Sequence, residues 1–199
     1  MNNARIHLPG ALDTALQYEI FNVLNDFFQA TNIWQETITF GVTALDPAPA
    51  TIYTLVPTEP VVTINRLLGV VNDNGLPVNG AMATPGQLTL QLSPGDSGTW
   101  SATVALTIND PVDATGDNAG FPEFPGWVLN KYNTGILSGV VSRMMAQPAK
   151  PYSNPALSLI NHKTYAKTVR TARGEVLHGN LNNGQNWRFP QAFSTTRRH

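Results

Sequence analysis

Near the start of the chain the apolar positions Leu12, Leu16, Ile20, Val23, Leu24, Phe27 and Phe28 recur at three- and four-residue steps. That spacing sets them on one stripe of a helix running from Ala11 to Ala30, a stripe meant either for the core or for a neighbouring subunit. Pro9-Gly10 precede it and Thr31-Asn32 end it. After Trp34 the period changes to alternation, with Ile38, Phe40 and Val42 on one side of a strand. Further β-branched or alternating runs follow at Thr51 to Val56, Val61 to Val71, Gln87 to Leu92 and Thr99 to Ile108. Pro and Gly punctuate them, and Asp73-Asn74-Gly75 suits a hairpin turn because Asn and Gly tolerate positive φ. The last run is the clearest. Trp100, Ala102, Val104, Leu106 and Ile108 share one face, and Ser101, Thr103, Ala105 and Thr107 the other. Five or six half-buried antiparallel strands of this kind make a small sandwich or an open barrel.

Residues 109 to 126 carry three prolines, three glycines and four acids, and read as a long surface loop or linker. Beyond it the helical period returns. Leu129, Tyr132, Ile136, Val140 and Met144 form a stripe over a helix from about Pro125 to Gln147. Gly135 and Gly139 lie on one face of it, and since each glycine costs ~1 kcal/mol against alanine, close approach of another backbone is the expected reason for the pair. Ser153-Asn154-Pro155 then starts a second helix, with a capping side chain followed by proline in the first turn. It is expected to run to about Arg173 and to end at Gly174 as a C-cap. Lys163, Lys167 and Arg170 follow one another at i, i+4 and i+7 as a basic stripe, with Arg173 beyond them, while Leu157, Ile160, Tyr165 and Val169 supply a more apolar side. The final stretch has no period, but it holds Trp187, Phe189 and Phe193 among Asn, Gln and Arg residues, an apolar trio of the kind that docks onto something.

The fold class is therefore α+β: a helical body, made of the N-terminal helix and two C-terminal helices, with an inserted antiparallel β-sandwich or open barrel and an extended C-terminal tail. The expected divisions are 1–33 for the first helix, 34–108 for the β-domain, 109–126 for the acidic linker, 127–174 for the helical hairpin and 175–199 for the arm.

Charge changes this picture. The 199 residues carry a net charge of only -1, and 13% are charged, about half the usual share. Cut at Phe124, however, the chain separates into twelve acids against Arg5 and Arg66, formally -10, and ten bases against Glu175, formally +9. Such asymmetry points to charged partners or to contact between one subunit and the next. The stripe of Lys163, Lys167, Arg170 and Arg173 either pairs with the acidic half of an adjacent copy or faces an anionic partner. Sequence-specific DNA recognition is not expected at a pI of 6.4 with no recognition motif.

Candidate chemistry is sparse. Without cysteine, disulfide scaffolds and thiolate sites are excluded. Gly95-Asp96-Ser97-Gly98 matches the tetrapeptide around a serine-protease nucleophile, but His7 is the only histidine before it and the setting is a hairpin loop. His7, His162, His178 and His199 are dispersed, and the acids Asp110, Asp113 and Asp117 lack the glycine and glutamate of a calcium loop. No phosphate-cradling loop occurs. No catalytic residue, metal site or cofactor is expected. The N-terminus has no secretory pattern and no run approaches the ~20 apolar residues of a spanning helix, so a soluble protein without a membrane role is expected.

Two long segments, FPEFPGWVLNKY (121–132) and GILSGVVSRMMAQPAKPYSNP (135–155), together with FFQATNIWQE (27–36) and WRFPQ (187–191), resemble the head-to-tail adaptor proteins of short-tailed bacteriophages. The resemblance touches both ends and the middle of the chain and is weakest in the β region. It implies a non-enzymatic virion protein of the neck, assembled in the host cytoplasm as a homo-oligomeric ring, most often of twelve copies, beneath the portal vertex. The ring would extend the DNA channel, touch double-stranded DNA only passively, and offer a platform to a tail nozzle or tube component. Trp187, Arg188, Phe189 and Phe193 would then anchor the arm to the portal or to a neighbouring subunit, and the basic helix face would be a subunit contact or line the channel. The rival reading is a glycan-binding or tail-associated β-module, motivated by the strand-rich centre and by Tyr53 and Trp100 as exposed aromatics.

Overall fold

The computed structural model describes residues 2–43, 51–59, 62–93, 95–108 and 125–181. A short helix α1 (Asn2–His7) buries Ala4 and leads through Leu8 into α2 (Asp13–Thr31). Leu16, Val23, Leu24, Phe27 and Phe28 of the α2 stripe are buried and Ile20 packs partly buried against the core, while Leu12 precedes the helix and is exposed. Asn32 closes α2 in the left-handed region at φ 52, its N–H donating to the Phe28 carbonyl. The chain then passes into strands.

Among the described residues seven strands follow: β1 (Gln35–Val42), β2 (Thr51–Thr54), β3 (Val62–Val71), β4 (Pro77–Val78), β5 (Gly80–Thr84), β6 (Gln87–Leu90) and β7 (Gly98–Ile108). They form two antiparallel sheets, one ordered β1-β7-β3-β4 and one ordered β2-β6-β5. The sheets face each other as a sandwich. The Phe40 and Tyr53 rings stand 5.1 Å apart across them, and the backbone of Gly80 lies so close to Leu88, Leu90 and Val70 that a Cβ there would come within 2.9 to 3.2 Å of all three. Asn72 shapes the β3–β4 turn by accepting the N–H groups of Asn74 and Leu76, with Gly75 at φ 74.

β7 is central, and its second half is buried on both faces because α2 covers the side that alternation assigned to solvent. There the Thr107 hydroxyl donates to the Asn25 side chain on α2. β3 carries two register shifts against β7, and between them and the helix Asn65 reaches the Asn32 side chain at 3.3 Å. These contacts join the β-domain to the helical body.

Among the described residues the helical body also holds α3 (Gly126–Met145) and α4 (Pro155–Leu181). Asn154 caps α4 by accepting the Leu157 N–H at 3.1 Å, with Pro155 at the first helical position. α4 does not end at Gly174. Ala172 is buried, Val176 packs on the core, and Glu175 bonds to Lys131 and Tyr132 on α3, so tertiary contacts carry the helix on to Leu181, about two turns past a glycine that is free to stay helical. The arm therefore cannot begin at 175. Among the described residues no helix is long and apolar enough to cross a membrane.

Candidate interaction surface

α3 and α4 pack antiparallel, and the seam between them decides which way every other α4 residue points. At the turn end the Ser158 hydroxyl donates to the Ser142 carbonyl at 2.8 Å. In the middle Thr168 sits against Gly135, and Tyr165 against Gly139 together with Val23 of α2. At the far end Lys131 and the Tyr132 hydroxyl both donate to Glu175 Oε2 at 2.5 Å. The two glycines thus admit side chains of α4 and α2 rather than a bare backbone.

Electrostatics follow from these neighbours. The Glu175 carboxyl is held below its ordinary range, first by the Lys131 hydrogen bond and then by that from Tyr132. Lys131 is raised, chiefly by the same bond to Glu175, and Tyr132 is raised by burial and then by Glu175. Burial pushes the Tyr165 phenol up to about 12, with the Asp26 charge adding to it, and its hydroxyl donates to the Val23 carbonyl at 3.3 Å. On the α2 side Arg143 pairs with both Asp26 and Glu19, and Gln147 bonds Glu19 and accepts from Tyr152. The Glu19 Oε2 atom is buried without a hydrogen bond, and its 3.9 Å approach to Arg143 is a charge contact only.

With residues 158, 165, 168 and 172 turned inward, the opposite face of α4 is fixed by the 3.6-residue period. Lys163, Lys167 and Arg170 lie along its midline and Arg173 at its margin, all exposed. Among the described residues none of the four makes an ion pair. Apolar side chains flank the row on the same face: Leu159 and Ile160, 56% and 61% exposed, toward one end and Leu177, 55% exposed, toward the other. Leu157 and Ile160 are thus on the surface, and only Tyr165 and Val169 of the expected apolar side reach the core. A groove of about 560 Å³ between α2 and α4 borders the row, with Arg170 and His162 on one wall and Asp26 and Gln29 on the other.

Trp187, Arg188, Phe189 and Phe193, and the acids of the linker at 109–124, lie outside the described residues. Asp96 accepts the Ser93 N–H in the turn before β7, so the Gly95-Asp96-Ser97-Gly98 stretch is a turn between strands. Trp100 is not an exposed aromatic: it points into the sandwich and is 2% exposed, and Tyr53 is half-buried against Phe40. The apolar flanks of the basic row were missed by sequence reading, although Leu159 shares the i, i+4 spacing with Lys163 that carried the stripe itself.

No protein-family model matches the chain, and no curated protein matches it either.

Proposed function

We propose that this chain is a structural head-to-tail adaptor of a short-tailed bacteriophage, a subunit that closes into a ring below the portal, extends the DNA channel and receives a tail component. The observation that carries the reading is the outer face of α4: four cations without an acidic partner among the described residues, bracketed by Leu159, Ile160 and Leu177. Leu159, Ile160 and Leu177 contribute no burial while they stand in water, whereas a subunit contact uses both the charge and the apolar area of this face. The likeness of segments 121–132, 135–155, 27–36 and 187–191 to the adaptor family supports the same reading. A ring places different surfaces of neighbouring copies in contact, which suits a chain with an acidic and a basic half. Contact with DNA is passive, because each neutralised phosphate would add affinity that a conducting channel must avoid.

Co-sedimentation of the purified chain with its portal protein tests this. A stable complex holding many copies of the chain per portal is expected; a chain that stays monomeric and unattached contradicts it. The glycan-binding alternative loses one of the aromatics that motivated it, since Trp100 is inside the sandwich.

A further inference from the structure

Contacts within the chain leave its acids and bases unequally satisfied. On the helical body Asp13 pairs with Arg5, Glu19 and Asp26 share Arg143, and Glu175 pairs with Lys131. On the β-domain Glu36 accepts from Thr58, Asp73 from Asn74, and Asp96 from the Ser93 backbone. Among the described acids this leaves Glu59 alone without a hydrogen bond or ion pair. The other acids of the sequence are Asp46 and a group of four, Asp110, Asp113, Asp117 and Glu123, in residues 109–124, which contain no Lys, Arg or His. Four cations on one helix face, without an ion pair among the described residues, therefore answer to four acids on one segment.

We propose that the outer face of α4 is a subunit contact whose occupant is a second copy of this chain, which sets its acidic segment 109–124 against Lys163, Lys167, Arg170 and Arg173. Dimensions permit it. From Lys163 to Arg173 the row rises about 15 Å along the helix, while the seven steps from Asp110 to Asp117 reach at most about 25 Å. The apolar parts also correspond. Phe121 and Phe124 follow the three aspartates of the segment and bracket Glu123, as Leu159, Ile160 and Leu177 flank the cations of the helix. In the proposed ring the contact is heterologous, each copy offering its α4 face to one neighbour and its acidic segment to the other. This inference rests on the proposed ring, in that both need copies of the chain to meet, and it adds which surfaces meet.

Charge reversal of the full-length chain tests it. One variant carries Lys163→Glu, Lys167→Glu, Arg170→Glu and Arg173→Glu; the other carries Asp110→Lys, Asp113→Lys, Asp117→Lys and Glu123→Lys. Circular dichroism and thermal unfolding first establish that each still folds, as expected for exposed α4 positions. Self-association is then followed by sedimentation velocity, alone and on the portal. Each variant alone is expected to associate more weakly than wild type, on the order of a hundredfold, since like charges now face each other. An equimolar mixture of the two is expected to recover wild-type assembly, because every contact between unlike copies is again complementary. Three results overturn the inference. If both variants assemble like wild type, copies meet elsewhere and the ring reading stands. If assembly returns only when all eight changes sit in one chain, the segment docks on its own α4. If wild type forms no higher species alone or on the portal, the functional reading falls as well.

Discussion

Gly135 on α3 lies directly beneath Thr168 on α4, so that a Cβ built at Gly135 would stand 2.1 Å from the Thr168 hydroxyl oxygen. No side-chain rotation makes room, because the Thr168 Cβ is itself only 2.5 Å away. The glycine thus sets how closely the two helices pack at the seam. Gly135→Ala is expected to destabilise the fold by about 1–3 kcal/mol, the range for overpacking a close seam. Gly174→Ala is expected to do the reverse, adding up to about 1 kcal/mol, since nothing lies within 4 Å of its Cβ and the helix continues through it. Urea unfolding of the pair reads the opposite signs directly.

A second prediction concerns acid. Glu175 has its folded pKa lowered from 4.5, so the stability it contributes is present above about pH 4.5 and is lost as pH falls through the lower folded value. Glu175→Gln is expected to leave a chain whose stability differs from wild type at neutral pH and converges with it below that window. The carboxylate is largely exposed, so the difference is small and shrinks in salt. Thermal unfolding between pH 3 and 7 at two ionic strengths checks both points.

Alkaline behaviour has another source. The folded Tyr165 phenol is raised to about 12 from 10.0, so stability is full below pH 10 and declines as pH rises from 10 toward 12, where the unfolded chain ionises first. Tyr165→Phe is expected to flatten that decline without removing it, since burial raises Tyr132 in the same direction. Unfolding curves across this range, read beside absorbance of the ionised phenols, give the comparison.

The link between helical body and sandwich is expected to depend on Asn25. Thr107 is buried at the α2–β7 boundary and its hydroxyl donates to the Asn25 side chain. Asn25→Ala leaves that hydroxyl unpaired and is expected to cost about 1–3 kcal/mol. A compensating Thr107→Val in the same chain is expected to recover part of the loss, which a double-mutant cycle measures.

Much of this architecture was legible in the sequence, and the misreadings have physical causes. α2, α3 and β7 announce themselves by period, and the Asn154-Pro155 start and the Asn74-Gly75 turn by their chemistry. Gly174 looked like a stop because glycine ends helices when nothing holds the next turn, yet Glu175 and Val176 are held by α3 and the core. β5 was missed because Gly80, Ala81 and Ala83 have no strand preference, and pairing with β6 alone makes them a strand. At the candidate surface the spacing of Lys163, Lys167 and Arg170 was readable, whereas their lack of partners became visible only once Arg143 and Lys131 were seen to hold the nearby acids.

Removal of residues 182–199 is expected to leave the folding of the chain intact and to prevent its stable attachment to portal, because it takes away Trp187, Phe189 and Phe193, the aromatic anchors of the proposed contact. Unfolding curves together with co-sedimentation separate the two effects. Unchanged attachment would show that the anchor lies elsewhere.

Electron microscopy of the full chain mixed with its portal tests the central claim most directly. The expected class averages show a second, rotationally symmetric ring of the chain stacked on the portal and coaxial with its channel. Portal rings bare of added density, with the chain left as free monomer, would contradict the adaptor reading.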